Sequence, residues 1–167
     1  PISKLQMARS LYDAIPATDF RKYSYLDPDR STYAYQSVRG NAWLDEQPDY
    51  MSLKFRPVGG DYNTYSVGAA ADIPVMRVEE MYLIEAEAVG ASQNVAAGVQ
   101  LLNNFMKQYR QSNYNFSTGD LRNFQLEVLK QMRIEFWGEG IAFPTAKRLK
   151  PDVIQNYEGT NFIEDIF

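Results

Sequence analysis

The sequence contains no cysteine and no histidine. Without cysteine there is no disulfide, no thiolate nucleophile and no zinc–thiolate site, and redox compartment leaves no mark on the composition. Without histidine the commonest general base and the commonest transition-metal ligand are missing as well. No apolar run is long enough to span a bilayer, and neither an initiating methionine nor a signal peptide stands at Pro1, so the chain reads as a piece of something longer. The formal net charge is −4. Phosphate backbones and anionic lipid are therefore poor partners wherever no local basic patch offsets it. No nucleic acid is expected, and no cofactor or metal is called for.

Aromatic residues, by contrast, are plentiful: Tyr 12, Phe 9 and Trp 2 make 14 % of the chain. Many lie outside any helical stripe, so the surplus needs either a core or a ligand. With 167 residues the chain can bury one sizeable core and is marginal for two, which favours a single domain over residues 1–167.

The stretch from Arg77 to Ala88 reads as one helix. At 100° per residue, Val78, Tyr82, Ala86 and Val89 share a side, with Met81 and Leu83 flanking it and Arg77, Glu80 and Glu87 roughly opposite. Glu85 falls on that apolar side. An isolated buried carboxylate is too costly to keep, so an arginine from another helix is expected to meet it. Gly90 offers a C-terminal stop, and Ser92 or Asn94 a cap for a second helix bearing Val95, Val99, Leu102, Phe105, Met106 and Tyr109. Two helices joined so closely should pack antiparallel, as in the tetratricopeptide unit of about 34 residues, and one such unit cannot bury its apolar face alone.

The rest divides by its breakers. Residues 1–16 carry Leu5, Ala8, Leu11, Tyr12 and Ile15 at helical spacing, closed by Pro16. Residues 17–74 are irregular, interrupted by Asp27-Pro28-Asp29, Gly40-Asn41, Gln47-Pro48-Asp49, Arg56-Pro57 and Gly59-Gly60-Asp61, with strand-like runs such as Met51–Phe55. Residues 75–110 form the helical hairpin. Residues 117–150 hold two more helices. The first is opened by a capping box at Ser117-Thr118-Gly119-Asp120, runs to Trp137 and carries the stripe Leu121, Phe124, Val128, Leu129, Met132 and Phe136. Gly138 and Gly140 interrupt it, and a short segment from Ile141 ends in Lys147, Arg148 and Lys150, a basic cluster suited to an acidic partner or simply to a helix C-terminus. Residues 151–167 read as a loop tail. The fold class expected is mainly α: a tetratricopeptide-like hairpin and further helices, a long loop-rich region, and little β structure.

Two constellations carry chemistry. Glu85, Glu135 and Glu139 stand in apolar surroundings, where a carboxylate can serve as acid or base. A glycosidase would need two such groups reachable by solvent. The better reading pairs them with Arg77, Arg133 or Arg148 as internal struts, and Glu85→Ala is then expected to cost several kcal/mol by stranding its partner. Trp43, Tyr50, Tyr62 and Tyr65 sit among the breakers. Aromatic faces there suit the apolar faces of sugar rings, although such residues also pin loops onto helices.

The run Ile73–Ala88 resembles the signature helix of the SusD/RagB family of outer-membrane nutrient-binding lipoproteins. Arg133–Gly140 followed by Lys147-Arg148-Leu149 resembles its second signature, and Asp19-Phe20-Arg21, Lys54-Phe55 and Tyr157–Asn161 are further matches in the right order. The resemblance implies non-catalytic capture of an oligosaccharide or other nutrient on the extracellular face of a Bacteroidetes-type outer membrane. The partner it implies is a TonB-dependent, SusC-like transporter, and the anchor a lipid at an N-terminus this chain lacks. It also implies that Glu85, Arg133, Glu135 and Arg148 hold the fold rather than a ligand. Pro144-Thr145-Ala146 departs from the family pattern, which has an aspartate there. The alternative to glycan capture is a helical-repeat scaffold whose ligand is a protein.

Overall fold

The computed structural model describes residues 5–31, 42–55 and 75–152. It is mainly helical, and among the described residues strand pairing is limited to the isolated bridges Gln6–Met51 and Tyr25–Ser52. Contacts group the chain into two compact units, Pro1–Ile73 and Pro74–Phe167.

In the first unit, helix α1 spans only Arg9–Asp13. The helical spacing of residues 1–16 is not realised further because the segment before it pairs elsewhere: Met7 N–H donates to Tyr50 O at 3.0 Å. Residues 51–53 also bond the other side, through Leu26 N–H to Met51 O at 2.9 Å and Leu53 N–H to Ser24 O at 2.7 Å. Backbone groups that must be buried are thereby satisfied without a sheet. A 3-10 turn covers Phe20–Ser24, capped by the Asp19 carboxylate, which accepts from Arg21 N–H. The buried Arg21 guanidinium returns to that carboxylate at 2.6 Å. Helix α2 spans Ala42–Asp45, so the described parts of the breaker-rich region hold short helical turns as well as loop.

The second unit is built on helices α3 (Val78–Ser92), α4 (Val95–Tyr109), α5 (Leu121–Glu135) and α6 (Ala142–Leu149). The hairpin expected from the sequence is present. Its antiparallel sense shows in the contacts: Gly98 meets Gly90 near the turn, and Tyr109 meets Tyr82 at the far end. Asn94 caps α4, its Oδ1 accepting from Ala97 N–H at 2.8 Å. The described residues hold one such hairpin. The capping residue of α5 is Asp120, not Ser117: Asp120 Oδ1 accepts from Asn123 N–H at 2.7 Å, while Thr118 Oγ1 takes the Asp120 N–H. α5 ends at Glu135, and Gly138 and Gly140, both at φ 79°, turn the chain into α6. Pro144 falls in the first turn of α6, where its missing N–H costs nothing.

Two expectations for α3 are overturned. Gly90 does not stop the helix, and the buried side is Leu83, Ala86, Glu87 and Gly90, leaving Val78, Met81 and Tyr82 exposed. Apolar residues occur nearly all round α3, so periodicity alone cannot select a face. Close approach selects it. A Cβ on Gly98 would lie 2.6 Å from Gly90 Cα and 2.7 Å from Ala86 O, and one on Gly90 would lie 2.4 Å from the Phe124 ring. The small-residue side therefore lets α4 and α5 settle directly on α3. Around it Leu83, Val99, Leu102, Phe105, Met106, Phe124, Val128, Met132 and Phe136 form the core.

Gly98→Ala should therefore destabilise the chain. Overpacking against backbone costs about 1–3 kcal/mol, offset by a gain in helix propensity of at most about 1 kcal/mol. A lower urea midpoint would show it, with Gly119→Ala, which meets nothing within 4 Å, as the neutral control.

Candidate functional site: buried acid–arginine struts and a braced tyrosine

Arg77 precedes α3, and Arg110 follows α4. Both reach the C-terminal end of α5. Arg110 Nε and Nη2 fork onto Glu135 Oε2 and Oε1 at 2.7 and 2.9 Å, and Nη2 also meets Glu79 Oε1 at 3.1 Å. Arg77 Nη2 stands 3.0 Å from Glu135 Oε1 and donates to the Glu135 carbonyl at 2.8 Å, satisfying a helix-terminal acceptor. Its Nε donates to Glu139 Oε2 at 3.1 Å. Each guanidinium lies over a ring, Arg77 over Phe136 at 4.9 Å and Arg110 over Phe105 at 5.2 Å. Burial works against the charge of Arg110, but its hydrogen bonds and the fields of Glu135 and Glu79 outweigh it and hold the guanidinium above its usual pKa.

The side chains of Glu135 and Glu139 are 4 % and 1 % exposed. Carboxylates so enclosed and already engaged by arginine do not offer the solvent-reachable pair a glycosidase requires. The structure separates the other candidates. Glu85 is exposed, and among the described residues no cation pairs with it, so the large cost expected for Glu85→Ala does not follow. Arg133 is likewise exposed. Arg148 Nη2 meets Glu87 Oε2 at 2.7 Å, with Gln125 Nε2 on the other oxygen at 3.1 Å. Arg110, Glu79 and Glu87 were missed in the sequence. Arg110 stands one residue beyond the helical stripe and Glu87 on the side judged polar, so only the rotation of α3 reveals them. No group of three Asp or Glu among the described residues could hold a metal ion.

In the first unit, Tyr50 is the one of the four candidate ligand aromatics whose ring is described. It is a non-glycine residue at φ 64°, a conformation that persists only where surroundings enforce it. Here Tyr50 N–H donates to Leu26 O at 2.6 Å and Tyr50 O accepts from Met7 N–H. The half-buried ring lies 4.9 Å from that of Tyr12, which carries Lys22 Nζ 4.5 Å from its centroid. Beside it, Arg30 bonds Asp49 at 2.8 Å and Gln47 O at 2.6 Å. Burial first, then Asp27, Tyr50, Asp13 and Asp29, push the Tyr12 phenol up from 10.0 to about 12. Trp43 stands on α2, but its side chain, like Tyr62 and Tyr65 altogether, lies outside the described residues.

Helical struts of this kind define a scaffold in which Glu135 and Glu139 are enclosed and engaged by arginine, while Glu85 is not. Comparison with known families assigns it further: the model described as the SusD family matches residues 16–158, so the chain belongs to the SusD family, whose members are non-catalytic nutrient-binding proteins of the cell surface. Comparisons with curated proteins and with solved structures gave no match.

Two outcomes test this geometry. Arg110→Met should cost about 1–3 kcal/mol in chemical denaturation, because buried Glu135 keeps Arg77 on Oε1 while Oε2 loses its donor. Arg148→Ala should cost about 1 kcal/mol or less, since that guanidinium is half exposed. Unfolded tyrosine ionises near 10 and folded Tyr12 only near 12. Its neutral form thus stabilises the fold fully below the lower value, and the contribution is lost as pH rises toward the upper one. Tyr12→Phe should flatten the fall in denaturant midpoint between about pH 10 and about pH 12.

Proposed function

We propose that this chain serves to capture an oligosaccharide at the extracellular face of an outer membrane and to pass it to a TonB-dependent, SusC-like transporter, by binding and without catalysis. The family match across residues 16–158 carries the reading. Its setting would be a Bacteroidetes-type cell, with the whole protein held by a lipid anchor. No described helix is long and apolar enough to cross a membrane.

Binding would rest on ring stacking and hydroxyl hydrogen bonds. Tyr50 suits that role physically, because its backbone is held on both sides and its ring is braced by Tyr12, so little rotamer freedom remains to be lost on contact. Trp43, Tyr62 and Tyr65 are proposed as companion platforms. A second reading, a helical-repeat scaffold for a protein ligand, draws support from the exposed apolar residues of α3.

Calorimetric titration of the full-length protein against a glycan panel tests the first reading, and silence toward every saccharide would overturn it. Tyr50→Gly, which removes the ring while accepting the positive φ, should weaken the best ligand by roughly 3- to 10-fold, the worth of one aromatic contact.

A further inference from the structure

The Arg30 side chain ties two loops of the first unit together. Its Nη1 donates to Asp27 O at 2.7 Å and to Asp49 Oδ1 at 2.8 Å, and its Nη2 donates to Gln47 O at 2.6 Å. The turn that carries it is fixed in its own right. Arg30 N–H donates to Asp27 O at 3.0 Å, and the buried Asp27 carboxylate accepts from Ser31 N–H and Ser31 Oγ at 2.9 and 2.6 Å. The Arg30 side chain is 19 % exposed, so little water competes for its planar fork. It cross-braces residues 27–31 and 47–49.

Between the acceptors Gln47 O and Asp49 Oδ1 lies Pro48, whose carbonyl accepts from Met51 N–H at 3.4 Å and closes a turn over residues 48–51. Tyr50 is the third residue of that turn, at φ 64°, a place that glycine or asparagine fills with least strain. A bulky residue persists there only where its neighbours over-determine the backbone, and such outliers gather where a side chain has to be aimed. Arg30 bonds the two residues on either side of Pro48, while Leu26 O and Met7 N–H bond the Tyr50 peptide groups. From this brace on a strained turn, and resting on the reading of Tyr50 as a sugar platform, we infer that Arg30 is the positioning residue of the Tyr50 ring. It keeps the turn in the conformation that lays the ring 4.9 Å from that of Tyr12, and so sets ligand affinity through Tyr50. Lysine would do this poorly, because one ammonium on a flexible stem lacks the fixed fork that meets three acceptors at once.

Arg30→Asn removes the brace while tolerating the positive φ of Arg30 itself. In the full-length protein, calorimetry with the tightest glycan of the panel should show Arg30→Asn weakening binding by roughly 3- to 10-fold, about as much as Tyr50→Gly. Adding Arg30→Asn to Tyr50→Gly should cost no further affinity, because glycine needs no brace and the ring is gone; a role in general stability would not produce that cancellation. Without any ligand, amide exchange at Tyr50 should speed up by at least about tenfold in Arg30→Asn while exchange at Leu102, in the other unit, stays as it was. If Arg30→Asn does not fold, Arg30→Lys is measured in the same way and should show a smaller loss of the same pattern. Unchanged Tyr50 exchange, or losses that add in the double variant, would overturn the inference. So would Tyr50→Gly weakening the glycan while Arg30→Asn leaves it unchanged, an outcome that spares the platform reading. Tyr50→Gly without effect on affinity would instead overturn the platform role of Tyr50, and this inference with it.

Discussion

Glu135 between two arginines is the interaction on which the helical unit depends. A carboxylate withdrawn from water is costly unless its lone pairs are taken up, and here both oxygens accept from guanidinium forks while the residue's own carbonyl accepts from Arg77. The forks come from the start of α3 and the end of α4, and the acid from the end of α5. Arginine rather than lysine suits this place because one planar group bonds two carboxylates and also lies on an aromatic ring. Rotating or sliding any of the three helices would strand a charge. The network therefore specifies an arrangement, whatever its net contribution to stability.

Packing at the other end of the hairpin decides which surfaces remain. Gly90, Gly98 and Phe124 bring three helices into contact with no room for another carbon, and Leu83, Ala86 and Glu87 turn inward with Gly90. Glu87 thus becomes a partner of Arg148 and Gln125, whereas Glu85, two residues earlier, is left outside among Met81, Val78 and Ala88. A seam of small residues and a pair of clamps together leave α3 with one face inside the unit and one apolar face still open. Of the three acids that look most reactive in the sequence, Glu135 and Glu139 are firmly held and Glu85 is not.

The first unit solves a different problem, ordering a breaker-rich chain with few elements of its own. Backbone bonds from residues 50–53 to Met7, Ser24 and Leu26, the Asp19–Arg21 pair and the Arg30 bridge to Gln47 and Asp49 do what a sheet does elsewhere. They also set Tyr50 at a positive φ. A side chain presented from an enforced backbone keeps little conformational freedom of its own.

Much of this was legible in the residues. Breakers, caps and apolar spacing located the hairpin, a cap at Ser92 or Asn94 that falls to Asn94, the core stripe of α5 apart from exposed Leu121, and the mainly helical class, and the ordered signatures indicated the SusD family. The placing of acids inside an arginine-held core was legible for Glu135 and Glu139, with Arg77 among the partners expected, whereas Arg110 was not. Arg110 could not be assigned to Glu135 and Glu79 because residues 25 and more apart in sequence meet only through the packing of three helices. Nor could the sidedness of α3 be read, because a helix apolar nearly all round has no preferred face until glycine-to-glycine contact chooses one. Local spacing follows from the backbone period and is written in the chain; which side turns inward, and therefore whether Glu85 or Glu87 is buried, is decided by close approach between helices distant in sequence.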